Sequence, residues 1–207
     1  MTTPIDGESE MSLSCIPIVM IQHEKFVIAH IGKTGGDACK QITAAMKLDG
    51  VTWERLGNPK KHLAPDKVLD LSDRDLILTF RRLPAREVSW YHHLVNFQRA
   101  KNVTDLPRWL INQNNGERDI KDMTRDGKHA VKFYIRSESL LQDLLQVYSH
   151  YFDLTAQQIA RAKAAKTKRR QRYDHDLSKW LNDEQIAELY RVSPTWSEHE
   201  RRAYAGI

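Results

Sequence analysis

The chain has only two cysteines in 207 residues, Cys15 and Cys39, and they form neither a CxxC pair nor a Cys/His cluster. This excludes a zinc ribbon, a zinc finger and a disulfide-stapled scaffold, and it points to a reducing, cytoplasmic setting with no metal. Long hydrophobic runs are also missing, and no stretch approaches the roughly 20 apolar residues that a membrane-spanning helix needs. Residues 1–14 (MTTPIDGESEMSLS) lack the basic start and apolar centre of a signal peptide. They read as a disordered polar tail ahead of one domain over residues 15–207. Internal repeats and low-complexity tracts are absent, which excludes solenoids and propellers.

What is present is a chain 41% hydrophobic and 29% charged, enough apolar material for one sizeable core. Lys plus Arg outnumber Asp plus Glu by 32 to 27. That mild excess suits an anionic ligand. Part of it is concentrated in residues 161–172 (RAKAAKTKRRQR), where seven side chains are basic and none is acidic. On charge alone such a run reads as a solvated helix face.

Short apolar, β-branched runs at IPIVMIQ (16–22), FVIAHI (26–31), LILTF (76–80) and VKFYI (131–135) predict strands, and VTWERL (51–56) is a further candidate. Helical spacing predicts helices over 35–47, from Pro84 to about 99, over ESLLQDLLQVY (138–148), and over 155–170 and 183–192. The polar stretch 112–129 reads as a mobile connection. Strands alternating with helices predict an α/β fold with a central, mainly parallel sheet covered on both faces, and ligands in such folds sit beyond the carboxyl ends of the strands.

Two joints meet that edge. In HIGKTGG (30–36) a strand gives way at once to glycines and a helix, with Lys33 and Thr34 at the turn. A helix N-terminus offers unpaired N–H groups and a positive dipole end, and glycine lets an anion approach closely, so the joint is either a phosphate cradle or a tight turn carrying a lysine. It is not a complete Walker A loop. Gly32-Lys33-Thr34 match the last three positions of that motif, but Val27 occupies the place of its first glycine.

HIGKTGG resembles the HIPKTGG signature of carbohydrate-type sulfotransferases that use 3′-phosphoadenosine 5′-phosphosulfate (PAPS), and LTFRRLPAREVSWYHH (78–93) is similar to the same family's second phosphate motif. In that motif a strand ends in an arginine and a serine follows eight positions later. Arg81 and Ser89 have this spacing, whereas the following proline, Pro84, favours Arg82. The resemblance implies a P-loop-like three-layer fold and transfer of a sulfuryl group from PAPS to a hydroxyl of a carbohydrate or other small alcohol. It implies further that Lys33, Thr34, Gly35, Gly36, Asp37 and Ala38 hold the 5′-phosphosulfate, and that Arg81 or Arg82, with Ser89, grips the 3′-phosphate. Lys166, Lys168, Arg169 and Arg170 of the basic run would fold over that phosphate. The sequence departs from the family at Gly32, where proline is usual, and at Asp37, where a threonine or serine is usual.

The resemblance implies that Lys33 meets the negative charge growing on the leaving phosphate, and His62, in KKHLAPDKV, is either the general base, as a histidine in that region of related sequences implies, or a surface histidine in a lysine-rich loop. Other histidines fit less well. His92 and His93 are adjacent on a helix and point about 100° apart, against a joint metal site. His30 at the strand end either packs or meets substrate, and Glu138 after the third strong strand matches a family glutamate or caps its own helix. Three other functions compete: a P-loop-like kinase, weakened by Val27 and by arginine where a metal-binding acid would stand; a nucleic-acid binder, which would need aromatic platforms; and a relative that binds nucleotide without transfer.

Overall fold

The computed structural model describes residues 21–53, 65, 70–96, 102–167 and 173–205. Five strands form one sheet: β1 (Ile21–Gln22), β2 (Phe26–His30), β3 (Thr52–Trp53), β4 (Asp75–Phe80) and β5 (Val131–Arg136), in the order β3-β1-β2-β4-β5. Eight α-helices accompany it among the described residues: α1 (Gly36–Met46), α2 (Leu83–Asn96), α3 (Leu106–Gln113), α4 (Asn115–Thr124), α5 (Leu140–Tyr151), α6 (Ala156–Ala164), α7 (Asp183–Arg191) and α8 (Pro194–Tyr204).

Strand alternation separates the helices into two layers. Val27, Ala29, Leu76, Leu78 and Phe80 face one side and pack with residues of α2, α3, α4, α7 and α8. Phe26, Ile28 and Ile77 face the other and pack with residues of α1, α5 and α6. Because both faces are covered, β2 is buried at every position, which is why it reads as an uninterrupted apolar run. The result is a three-layer α/β arrangement.

The sheet is mixed, with a parallel centre and an antiparallel edge. β2, β4 and β5 run parallel, but β1 pairs antiparallel with both β2 and β3. Connection length explains the difference. Only His23-Glu24-Lys25 joins β1 to β2, with His23 N–H donating to Phe26 C=O at 2.9 Å, and a parallel crossover needs a dozen or more residues.

The polar stretch 112–129 is also not an unstructured connection. It contains the end of α3 and all of α4, joined at Asn114, whose left-handed φ of 41° ends one helix and begins the next. Asn115, Glu117 and Asp119 are buried there beside Ile120 and Met123, so these polar side chains serve internal partners instead of solvent. A further helix beyond the expected ones, α8, sets Trp196, His199 and Glu200 into the core.

Candidate functional site

Both joints picked out in the sequence lie at the carboxyl edge of the parallel strands. The β2–β4 register pairs Ala29 with Leu78 and His30 with Thr79, so the loop 31–35 and Arg81-Arg82 leave the sheet from neighbouring strand ends. α1 and α2 then begin on opposite faces of that edge, at Gly36 and Leu83.

The loop is held from below by a hydroxyl and imidazole web. Thr34 Oγ1 donates to Ile31 C=O at 2.6 Å, so its contact with Thr79 Oγ1 takes its proton from Thr79. Gly36 N–H donates to His30 Nδ1 at 3.1 Å, which places the imidazole proton on Nε2. Burial pushes the His30 pKa down to about 4, outweighing the opposing pull of Asp37. His30 is therefore a neutral acceptor that supports the loop, the packing alternative of the two open to it. Gly36 is required by this contact, since a Cβ at that position would lie 2.1 Å from Cγ of the His30 ring.

Above the web the backbone alternates in hand. Lys33 has φ 72° and Gly35 φ 94°, with Thr34 between them outside the left-handed region. Left-handed residues placed this way reverse the chain within the loop, so that alternate amides face the protein interior. Two amides are spent inside the loop, because Thr34 N–H donates to Ile31 C=O at 3.3 Å and Gly36 N–H to His30. The α1 ladder starts with Cys39 N–H to Gly35 C=O at 3.0 Å, so the amides of Asp37 and Ala38 precede it and point out of the helix terminus. The Asp37 side chain is exposed in the first turn, where the dipole favours an acid. The Thr34 side chain, wholly buried, faces the sheet and not solvent.

On the α2 side the two arginines divide. Arg82 Nη1 lies 3.4 Å from Glu200 Oε1, and its guanidinium sits 4.3 Å from the centroid of the Tyr204 ring. Glu200 also accepts from Leu83 N–H at 2.9 Å and from Tyr190 Oη at 2.8 Å, so α8 caps the start of α2 and draws Arg82 toward itself. Arg81 is half-buried at the strand end, and Ser89 is buried two turns into the helix.

The remaining expected residues are spread more widely. Glu138 accepts from Tyr204 Oη at 2.8 Å instead of capping α5, while Asp143 in the first turn of α5 binds the Arg136 backbone N–H and its guanidinium at 2.7–2.8 Å. His92 stacks on Tyr173 with centroids 4.4 Å apart, and His93 lies against Trp90, so the two histidines do diverge. Lys166 is exposed just beyond α6. His62 and Lys168, Arg169 and Arg170 lie outside the described residues.

One residue was not picked out by motif. Arg86, three residues before Ser89 on α2, is fully buried and donates from Nε to Gly32 C=O at 3.2 Å, tying the helix directly to the loop. Its signal in the sequence is faint, an arginine in the first turn of a half-apolar helix. No group of three or more His, Cys, Asp or Glu suited to a metal occurs among the described residues, and none of their helices is long and apolar enough to cross a membrane. The chain matches no protein-family model, no curated protein and no solved structure.

Proposed function

We propose that the protein is a PAPS-dependent sulfotransferase with a P-loop-like fold, moving a sulfuryl group to a hydroxyl of a carbohydrate or small-alcohol acceptor. The observation that supports this reading best is the juxtaposition at one sheet edge: a strand–loop–helix joint carrying Lys33 beside a strand end carrying Arg81, with Ser89 on the helix that follows. A nucleotide phosphorylated at both its 5′ and 3′ ends needs two such anion sites.

In this reading the loop amides and those opening α1, chiefly Gly35, Asp37 and Ala38, receive the 5′-phosphosulfate at a positive helix terminus. The Lys33 ammonium meets the negative charge that grows on the bridging oxygen as the S–O bond to the leaving phosphate breaks. The acceptor oxygen forms the new S–O bond in line with it, and its proton passes to a base, for which His62 is the sequence candidate. Arg81 and Ser89 take the 3′-phosphate, since Arg82 is engaged by Glu200 and Tyr204. Thr34 supports the loop from beneath and does not contribute its hydroxyl to the phosphate.

Thermal shift measurements test the ligand, and radiolabelled sulfate transfer to a panel of sugars and alcohols tests the reaction. Stabilisation by adenosine 3′,5′-bisphosphate without magnesium, lost in Lys33→Ala and in Arg81→Ala, is the expected result. Stabilisation only by ATP with magnesium would replace this reading with a kinase-type one. Binding without transfer to any acceptor would leave a nucleotide-binding relative.

A further inference from the structure

The guanidinium of Arg86 is enclosed on all sides. Its Nη1 donates to Glu87 and its Nη2 to Asp119 of α4, while Nε reaches the Gly32 carbonyl. Trp90 and Trp196 flank it, with ring centroids 5.7 and 5.6 Å from Cζ. Glu87 is itself fixed. Glu87 Oε1 accepts from Gly116 N–H at 2.9 Å, and a Cβ on Gly116 would meet Glu87 Oε1 at 3.0 Å and Leu83 Cδ1 at 2.7 Å, so α4 must approach α2 through a glycine.

A buried arginine with one of its donors turned onto a loop carbonyl does more than pair charge. In a trans peptide unit the C=O and the next N–H point in opposite directions, and the chain has no cis peptide among the described residues. By drawing Gly32 C=O toward α2, Arg86 turns the Lys33 N–H away from the network, just where the left-handed Lys33 begins the turn of the loop. A rotated 32–33 peptide would put a carbonyl where an anion has to sit.

We infer that Arg86 is a positioning residue for the anion loop: it sets the orientation of the Gly32–Lys33 peptide, and the packing of α4 and α8 around it sets the orientation of Arg86. This deepens the sulfotransferase reading by adding a residue that touches neither phosphate, and the loop control itself does not depend on that reading.

The experiment uses the full chain with Arg86→Lys, which keeps the charge and loses the planar fork, and Asp119→Asn, which keeps the shape and removes one of the two charges facing Arg86. Amide hydrogen exchange of residues 31–36 is compared with that of α5, which packs on the other face of the sheet. Affinity for adenosine 3′,5′-bisphosphate is measured alongside. Arg86→Lys is expected to raise loop exchange and to weaken binding about tenfold, as for loss of one charge-assisted hydrogen bond, with α5 exchange unchanged. Asp119→Asn is expected to give a change of about threefold in the same direction, and it decides the matter if Arg86→Lys does not fold. Unchanged loop exchange in the folded variants would overturn the inference, as would exchange raised equally throughout the chain. Failure of the wild-type protein to bind the bisphosphate would instead count against the proposed function, with loop exchange still testing the clamp.

Discussion

At the scale of single residues, the loop depends on two atoms that nothing else can replace. Gly36 N–H has the His30 imidazole as its partner, and its Cα leaves no room for a methyl group. Gly36→Ala is expected to cost about 1–3 kcal/mol by overpacking against a ring that is buried and has nowhere to move. Urea denaturation would measure it, and a loss below about 0.5 kcal/mol would mean that the ring is not held as described. His30→Ala acts from the other side of the contact. It leaves a buried N–H without its acceptor and is expected to cost about 1–3 kcal/mol while loosening the loop. If His30→Asn, which keeps an acceptor, destabilised as much as His30→Ala, cavity formation rather than the hydrogen bond would be the cause.

At the scale of elements, α8 acts as a clasp on α2. Glu200 accepts from the Leu83 N–H and from the Tyr190 hydroxyl, and it faces Arg82. Glu200→Ala removes the cap and leaves a buried N–H unpaired, with an expected cost of about 1–3 kcal/mol by denaturant unfolding. The same variant frees Arg82, so affinity for adenosine 3′,5′-bisphosphate should fall less than it does in Arg81→Ala. An equal or larger fall would return Arg82 to the site. α8 was not legible in the sequence. Its apolar face is little more than Trp196, Ala203 and Tyr204, and its two other buried side chains, His199 and Glu200, are polar. The polar run of α4 concealed itself in the same way, because Glu117 and Asp119 point at Thr195, the Trp196 N–H and Arg86 across long sequence separations. By contrast, β2, β4 and the helices that follow them announced themselves, since their signals are local: a buried apolar run, then a glycine or proline, then helical spacing. The KTGG joint was legible for the same reason. The web of His30, Thr34 and Thr79 beneath it was not, as its members meet only through the 45-residue separation that the parallel pairing closes.

At the scale of the whole molecule, burial of titratable groups on both sides of the sheet edge makes stability depend on pH. His30 and His199 are buried and held neutral, each with its pKa pushed down to about 4 mainly by loss of solvent, and His199 Nδ1 takes a hydrogen bond from Tyr134 Oη at 2.7 Å. An unfolded histidine takes up its proton near pH 6.5. Between pH 6.5 and 4 the unfolded chain therefore binds protons that the folded chain refuses, and stability falls as the solution is acidified through that window. His30 alone accounts for about 3 kcal/mol of the full decline. Asp119 works in the opposite sense. Burial pushes its pKa up to about 6 against the pull of Arg86, so below that value the folded state keeps a proton that the unfolded state releases until near pH 3.8. Its contribution grows on acidification and partly offsets the histidines. Asp119→Asn removes the offset, so the decline in stability between pH 6 and pH 4 is expected to be steeper in this variant than in the wild type, whatever its starting stability. Denaturant unfolding at several pH values would read both slopes. A variant slope equal to or shallower than that of the wild type would show that Asp119 carries a charge throughout this range. Arg86, and the loop it holds, would then keep Asp119 as an ionised partner across the same range.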